Sequence, residues 1–384
     1  MRPPLIQDAR GAAGGARASA HELLSAVAAY GLPGRTGALR QRPLDDGRWR
    51  CLLAAVSRQR LAGHLVHAIA EGALPATVEQ EAQARHLHLV WLGRVLCLER
   101  LLLEVVGTVE RAGIDHRVLK GPATAHLVYP DPALRLFVDI DVLVPTDRFD
   151  DAASALVAAG CRRPSPELRP GFDRRFGKGA TLLTAGGHEV DLHRTFAQGP
   201  FGLTVDLAAV FRAPVTLHLG GRDLRALDQE LSFLVACYHA ALGDATPRLV
   251  PLRDVAELLL GHDLDLGRVA GLARSWRAEA VVARAVRCAW RTLDLQPVGL
   301  SRWAGEYRAT RAERWMLDAY TGPSRCLGGM ALRSLRVIPR PADKAAYLSG
   351  VLFPQQAAIA SYERGYARWW RRGARALLGR GTRA

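Results

Sequence analysis

The chain has 384 residues, enough for two or three domains and a sizeable buried core. Its 49% apolar and 23% charged residues exclude a mostly disordered or fibrous protein. The formal net charge is +15, and it is uneven: residues 301–384 carry 16 Lys/Arg against 5 Asp/Glu, the first 300 residues 36 against 32. A basic region of this kind meets nucleic acid, anionic lipid or an acidic partner, or is simply a solvated face. Only Lys120, Lys178 and Lys344 are lysines among 52 cationic side chains. In so Arg-biased a chain, each lysine is a candidate for a specific task.

The six cysteines lie dozens of residues apart, with no C-x-x-C pair and no Cys/His cluster. That argues against a zinc site or a disulfide framework and points to reduced thiols in the cytoplasm. The N-terminus lacks a basic-then-apolar leader pattern. The best apolar run, Leu231 to Leu242, is far short of the ~20 residues of a membrane span. The expectation is a soluble cytoplasmic protein with no membrane span.

In chain order, residues 1–20 read as a flexible arm rich in Gly and Ala. Residues 21–77 form short helical patterns broken by Pro33-Gly34, Gly37, Pro43 and Pro75. A long helix is predicted over Val78 to Arg111, because Leu87, Trp91, Val95, Leu98, Leu102, Val105 and Val109 recur every three or four residues; Gly113 ends it. Ile114 to Leu119 is a short strand. Pro122 suits a first helical position, so Pro122 to Tyr129 reads as a helix. Leu136 to Val144 is the strongest strand pattern, and Asp147 is placed to cap a helix over Arg148 to Ala159. Two hairpins follow: Ala180–Thr184 with His188–His193 around Gly186-Gly187, and Val215–Leu219 with Asp223–Leu227 around Gly220-Gly221. From Asp228 onward the pattern is helical. The expected divisions are 1–20, 21–77, a mixed core over 78–227, and a helical region over 228–384 with a basic tail.

The chemistry concentrates in Val138-Asp139-Ile140-Asp141-Val142. On a strand, Asp139 and Asp141 share one face and the apolar residues take the other. Two carboxylates so placed repel by roughly 2–3 kcal/mol at an effective dielectric near 20. A divalent cation relieves that repulsion, and oxygen-only ligands select Mg²⁺ or Mn²⁺. Asp191 lies between Val190 and Leu192 on a second apolar strand, with His193 on the same side. Pairing of that strand beside the first would gather three carboxylates, a set suited to two metals around a nucleoside triphosphate. An amphipathic strand with its Asp face in water is the plainer alternative. Lys120-Gly121, at the end of a strand and the start of a helix, favours phosphate binding by backbone N–H groups and the helix dipole, although no P-loop motif is present.

Val118-Leu119-Lys120-Gly121, Tyr129-Pro130, Arg135, Asp139-Ile140-Asp141-Val142-Leu143-Val144 and Val190-Asp191-Leu192-His193 together resemble the uncharacterised nucleotidyltransferase family of bacteria, within the DNA polymerase beta-like superfamily. His239 and Leu252-Arg253-Asp254-Val255-Ala256 are similar to its closing stretch, so the likeness spans roughly residues 80–265. The resemblance implies an α+β fold, a small mixed β-sheet nucleotidyltransferase core flanked by N-terminal and C-terminal helical regions. It implies metal ligation by Asp139, Asp141 and Asp191, with Asp191 activating the acceptor hydroxyl, and Lys120, Gly121 and Arg135 near the triphosphate. Two departures from the wider superfamily are Gly121-Pro122 where a Gly-Gly or Gly-Ser pair is usual, and the 18-residue gap from Gly121 to Asp139.

Lys178, between Gly177 and Gly179, either reaches the triphosphate or is an ordinary loop lysine. His193 either donates to a phosphate or orients Asp191, or is structural. His239, Arg253 and Asp254 read first as helix-to-helix contacts and second as substrate contacts. Arg364, Arg368, Arg371, Arg372 and Arg375 beside Tyr366, Trp369 and Trp370 make a basic terminal helix, packed on the domain or facing RNA or a membrane surface. The expected activity is Mg²⁺-dependent transfer of a nucleoside monophosphate from an NTP, ATP first, to a small-molecule or peptide acceptor with release of pyrophosphate. Rival readings are a toxin-like enzyme that modifies RNA and a non-catalytic nucleotide-binding scaffold.

Overall fold

Two hairpins and two short strands build the sheet that carries the candidate site. In the computed structural model, residues 21–321 and 327–362 are described. The predicted arm over 1–20 and the Arg/Trp-rich segment from 363 onward lie outside the described residues.

The N-terminal helices are α1 (21–29), α2 (Asp46–Gln59) and α3 (Ala62–Ala70). The long α4 spans Val78–Arg111, as its apolar stripe predicts. Its start is fixed by a capping box, in which the Thr77 hydroxyl accepts from the Gln80 N–H and the Gln80 side chain accepts from the Thr77 N–H. Then come β1 (Arg117–Leu119), α5 (Lys120–Leu127), β2 (Ile140–Leu143) and α6 (Phe149–Ala158). The short α7 (Phe172–Phe176) leads into β3 (Gly179–Leu183) and β4 (Glu189–His193). After α8 (Pro200–Leu203) and α9 (Leu207–Phe211), β5 (Val215–Leu219) and β6 (Arg222–Ala226) form the second hairpin. The rest is helical: α10 (Gln229–Leu242), α11 (Leu249–Gly261), α12 (Leu266–Ser275), α13 (Glu279–Thr292) and five more helices up to residue 362.

The strand order is β3-β4-β2-β1-β6-β5. The sheet is mixed: β2 runs parallel to β4 and β1 parallel to β6, and the remaining pairs are antiparallel. The fold is therefore α+β, with about 60% of residues helical and one six-stranded sheet. Gly187 and the pair Gly220-Gly221 take positive φ at the hairpin tips, which explains why those dipeptides mark the turns.

Three expectations need correction. The strand predicted over Leu136 to Val144 is only Ile140–Leu143, because Leu136 and Phe137 turn into the core from an irregular segment while Val138 is exposed. Ile114 to Leu119 shortens to Arg117–Leu119. Asp147 does not cap α6; it lies inside a turn of 3₁₀ helix over Thr146–Arg148 that leads directly into the α-helix.

The helical flanks are fastened by α11. The Arg253 guanidinium donates to the Ala28 and Tyr30 carbonyls, both at 2.7 Å, and to Glu257 at 2.7 Å. Its neighbour Asp254 accepts two bonds from Arg135, at 2.7 and 2.8 Å, and one from the Tyr129 hydroxyl at 2.9 Å. Adjacent residues thus tie the N-terminal helices on one side and the β1–β2 connection on the other. The first reading of this dipeptide, contact between elements, agrees with these bonds.

Candidate active site

The site forms where β2 and β4 run side by side. Their parallel register sets Ile140 opposite Val190 and Asp141 opposite Asp191. Because strand side chains alternate, the isoleucine and valine are buried in the core while the aspartates share the other face. His193, two residues beyond Asp191, joins them. Ligand atoms of Asp141, Asp191 and His193 all lie within 4.8 Å of one another, a spacing that suits a shared cation.

Cations surround these groups. Lys120 Nζ donates to Asp141 Oδ1 at 2.8 Å, and His193 Nε2 meets the same oxygen at 2.5 Å. Burial raises the Asp141 carboxyl pKa, but Lys120 and His193 outweigh it and hold the pKa well below the usual range. Burial and the positive charges of Lys178 and Lys120 press the His193 pKa down to about 4, so the imidazole is neutral and donates through Nε2. Its Nδ1 is buried without a hydrogen-bond partner. Lys178 Nζ stands 4.0 Å from Asp191 Oδ2, and its pKa is lowered by burial and by Lys120. The two lysines in the Gly-flanked segments therefore converge on one carboxylate cluster.

Asp139 lies just before β2, not within it, and is absent from the 4.8 Å group. It is nevertheless part of the same charge cluster. Burial raises its pKa, and the negative charges of Asp141 and Asp191 raise it further. A carboxylate crowded by two others is the arrangement that a divalent cation relieves.

The backbone at Lys120 is strained in a useful way. Lys120 has φ 41, in the left-handed region, and Gly121 is non-helical at the start of α5. A Cβ on Gly121 would lie 3.2–3.3 Å from Phe137, so the glycine lets the loop before Asp139 approach closely. That kink turns Lys120 from the end of β1 toward Asp141.

Arg135, which the resemblance sets near the triphosphate, pairs with α11. It is buried, with its guanidinium bonded to Asp254 and to the Leu136 carbonyl. It supports the segment that carries Asp139, with three of its five N–H groups bonded there. His239 is half-buried beside Lys120 and Asp254, lining a small cavity behind the site, and desolvation keeps it neutral.

Thr181 was not singled out from the sequence. Its hydroxyl donates to Asp191 Oδ1 at 2.6 Å and orients that carboxylate. The hairpin pairing sets Thr181 opposite Asp191, so a turn centred on Gly186 would have revealed it.

Carboxylates in register on adjacent parallel strands, faced by two lysines and the kinked start of a helix, make this the candidate site. The chain belongs to the family described as uncharacterised nucleotidyltransferase, whose model matches residues 45–294. That match runs from the cap of α2 through α13 and so takes in the whole site. No curated protein matches the chain. Two solved structures are similar over about half of it. One is the antibiotic-resistance factor ANT(2'')-Ia, at 16% identity, covering 47% of this chain and 91% of that one with a TM-score of 0.34. The other is an antigenic nucleotidyltransferase-like protein from Paracoccidioides brasiliensis, at 14% identity, covering 50% and 92% with a TM-score of 0.27. Among the described residues no helix is long and apolar enough to cross a membrane.

Proposed function

We propose that this enzyme transfers a nucleoside monophosphate from a nucleoside triphosphate, ATP being the first to test, to a hydroxyl on a small-molecule or peptide acceptor, and releases pyrophosphate. The observation that carries this reading is the Asp141–Asp191 register across β2 and β4 with Asp139 crowded against it. The donor set fits a hard divalent cation, since the carboxylates are anionic oxygen ligands in mutual repulsion. Mg²⁺ or Mn²⁺ held by Asp139, Asp141 and Asp191 would neutralise phosphate charge and acidify the acceptor hydroxyl.

The residues divide the remaining work. Asp191, oriented by Thr181, accepts the proton of the acceptor hydroxyl. Lys120 and Lys178 offer ammonium groups to the phosphate oxygens, and the Gly121 turn leaves room for the chain to approach them. His193 donates to Asp141 and fixes its rotamer. The acceptor oxygen attacks the α-phosphorus, the bond from that phosphorus to the bridging oxygen breaks, and pyrophosphate leaves with the electron pair.

Position-specific labelling tests this reading. With Mg²⁺ and a cell extract, label from an α-³²P-triphosphate should enter the acceptor while γ-³²P label leaves as pyrophosphate. Appearance of the γ label on the acceptor, with a nucleoside diphosphate as product, would mean phosphoryl transfer and reject it.

A further inference from the structure

Lys178 has a glycine on each side, and both glycines are there for want of space. A Cβ on Gly177 would lie 2.8–3.0 Å from Asp173, and one on Gly179 only 2.1 Å from the Leu192 carbonyl oxygen. The lysine stands where the chain squeezes between the end of α7 and β4, and its ammonium lies 4.0 Å from Asp191. Holding a long lysine side chain costs rotamer freedom, so its backbone must be fixed before the ammonium can serve a site.

The Lys178 backbone is fixed at both ends. Its N–H donates to Gln198 Oε1 at 2.7 Å, and its carbonyl accepts from the Arg194 and Thr195 N–H groups at 2.8 and 3.1 Å. Arg194 Nε also donates to the Gly177 carbonyl at 2.9 Å. Arg194 and Thr195 follow directly on β4. Gln198 is different, because it is itself held from a distant part of the chain.

The helices after α13 are α14 (Gly299–Glu306), α15 (Arg311–Thr321), α16 (Leu327–Val337) and α17 (Pro341–Leu352). All lie past residue 294, where the match to the family ends. The buried Tyr320 of α15 donates its hydroxyl to the Gln198 carbonyl at 2.5 Å. The next residue, Gly199, takes φ 81, and a Cβ there would fall 2.9 Å from the Tyr320 oxygen, so the ring sits directly on this peptide. On the other side of Lys178, Tyr347 of α17 packs on Phe172 and Phe176 of α7, with ring centroids 5.6 and 5.2 Å apart. Asp343 of α17 pairs with Arg175 at 2.6 Å. The C-terminal helices thus grip both segments that fix Lys178.

We propose that Gln198 is a positioning residue: held at its carbonyl by Tyr320, it sets the Lys178 backbone so that the ammonium meets the polyphosphate of the bound nucleotide. The C-terminal helices thereby tune nucleotide binding. This rests on the nucleotidyltransferase reading above. Glutamine suits the task because its amide oxygen satisfies the Lys178 N–H without adding another anion to a site that must accept phosphate.

A double-mutant cycle separates positioning from general support of the fold. Gln198→Met keeps the length of the side chain and removes the acceptor; Lys178→Met removes the ammonium. Calorimetry with Mg²⁺ and each of the four nucleoside triphosphates, or with inorganic triphosphate, reads binding without turnover. In the wild-type background, Gln198→Met should weaken the preferred nucleoside triphosphate and inorganic triphosphate about three- to tenfold. In the Lys178→Met background, already weakened about tenfold, it should change either affinity by less than about twofold. Tyr320→Phe loses only the hydroxyl and keeps the ring packed, so it carries the same cycle even if Gln198→Met folds poorly. It should weaken the triphosphates by a smaller factor and be equally silent in Lys178→Met. If the wild type binds triphosphates and Asp141→Asn weakens them, equal losses in both backgrounds, or none in either, remove Gln198 from this role and leave the transferase reading standing. A wild type that binds none of the triphosphates overturns both.

Discussion

At Asp139 the proposed metal-binding role opposes stability. Burial and two neighbouring carboxylates raise its pKa, so in the absence of a cation its charge destabilises the fold. Asp139→Asn should raise the metal-free thermal midpoint by a few degrees, the response expected of about 1 kcal/mol, while cutting transfer by on the order of 10²-fold or more. Scanning calorimetry beside a rate assay checks both signs; a lower midpoint with unchanged rate would remove Asp139 from the site. Asp141 and Asp191 were legible in the sequence because strand alternation is local, whereas Asp139 falls just before the strand in which the pattern places it. The partner of Arg135 was not legible either: Asp254 lies 119 residues away, and only the folded chain brings the two together.

At the scale of elements, the site depends on how α3 and α11 hold the β1–β2 connection. The Arg135–Asp254 pair is buried and bidentate. Asp254→Ala would leave the guanidinium and the Tyr129 hydroxyl without their acceptor, and should cost roughly 3–5 kcal/mol in urea unfolding. A change below about 1 kcal/mol would show that water replaces the carboxylate. Gly63→Ala tests the other support. Its Cβ would meet backbone at Ala133 and Leu134, atoms that cannot swing aside, so α3 must shift at a cost of roughly 1–3 kcal/mol. Urea titration of that variant should show an earlier midpoint; an unchanged one would mean that α3 is seated more loosely. The long α4 and both hairpins were legible from periodicity and Gly-Gly turns. The parallel pairing of β1 with β6 was not, since β6 is more than 100 residues from β1 and joins them only through the packing of the whole sheet.

For the whole molecule, the buried histidines set an acid limit. His64 and His116 are both held below the ordinary histidine pKa, chiefly by burial, and His116 is brought to about 4. Between pH 6.5 and 4 the unfolded chain binds a proton at His116 that the folded chain refuses. Stability must therefore fall as pH falls through that window, and the loss is complete below 4. His116→Gln should flatten the slope by up to about 1.4 kcal/mol per pH unit, measured by denaturant unfolding at several pH values. An unchanged slope would mean that His116 titrates alike in both states. The uneven net charge gave no comparable guide to mechanism: the centre of the chemistry is a cluster of carboxylates met by Lys120 and Lys178, two of the three lysines in an arginine-rich chain.

Asp141 and Asp191, in register across β2 and β4, are proposed to form a divalent-cation-dependent nucleotidyl-transfer centre. Pyrophosphate release is its most direct measure, followed with Mg²⁺ or Mn²⁺, an α-labelled triphosphate and an acceptor-containing extract. The wild type should release pyrophosphate in step with acceptor labelling, chelation should stop both, and Asp191→Asn, folded to the same thermal midpoint, should fall by about 10³-fold. Pyrophosphate release by Asp191→Asn at the wild-type rate, or undiminished by chelator, would contradict it.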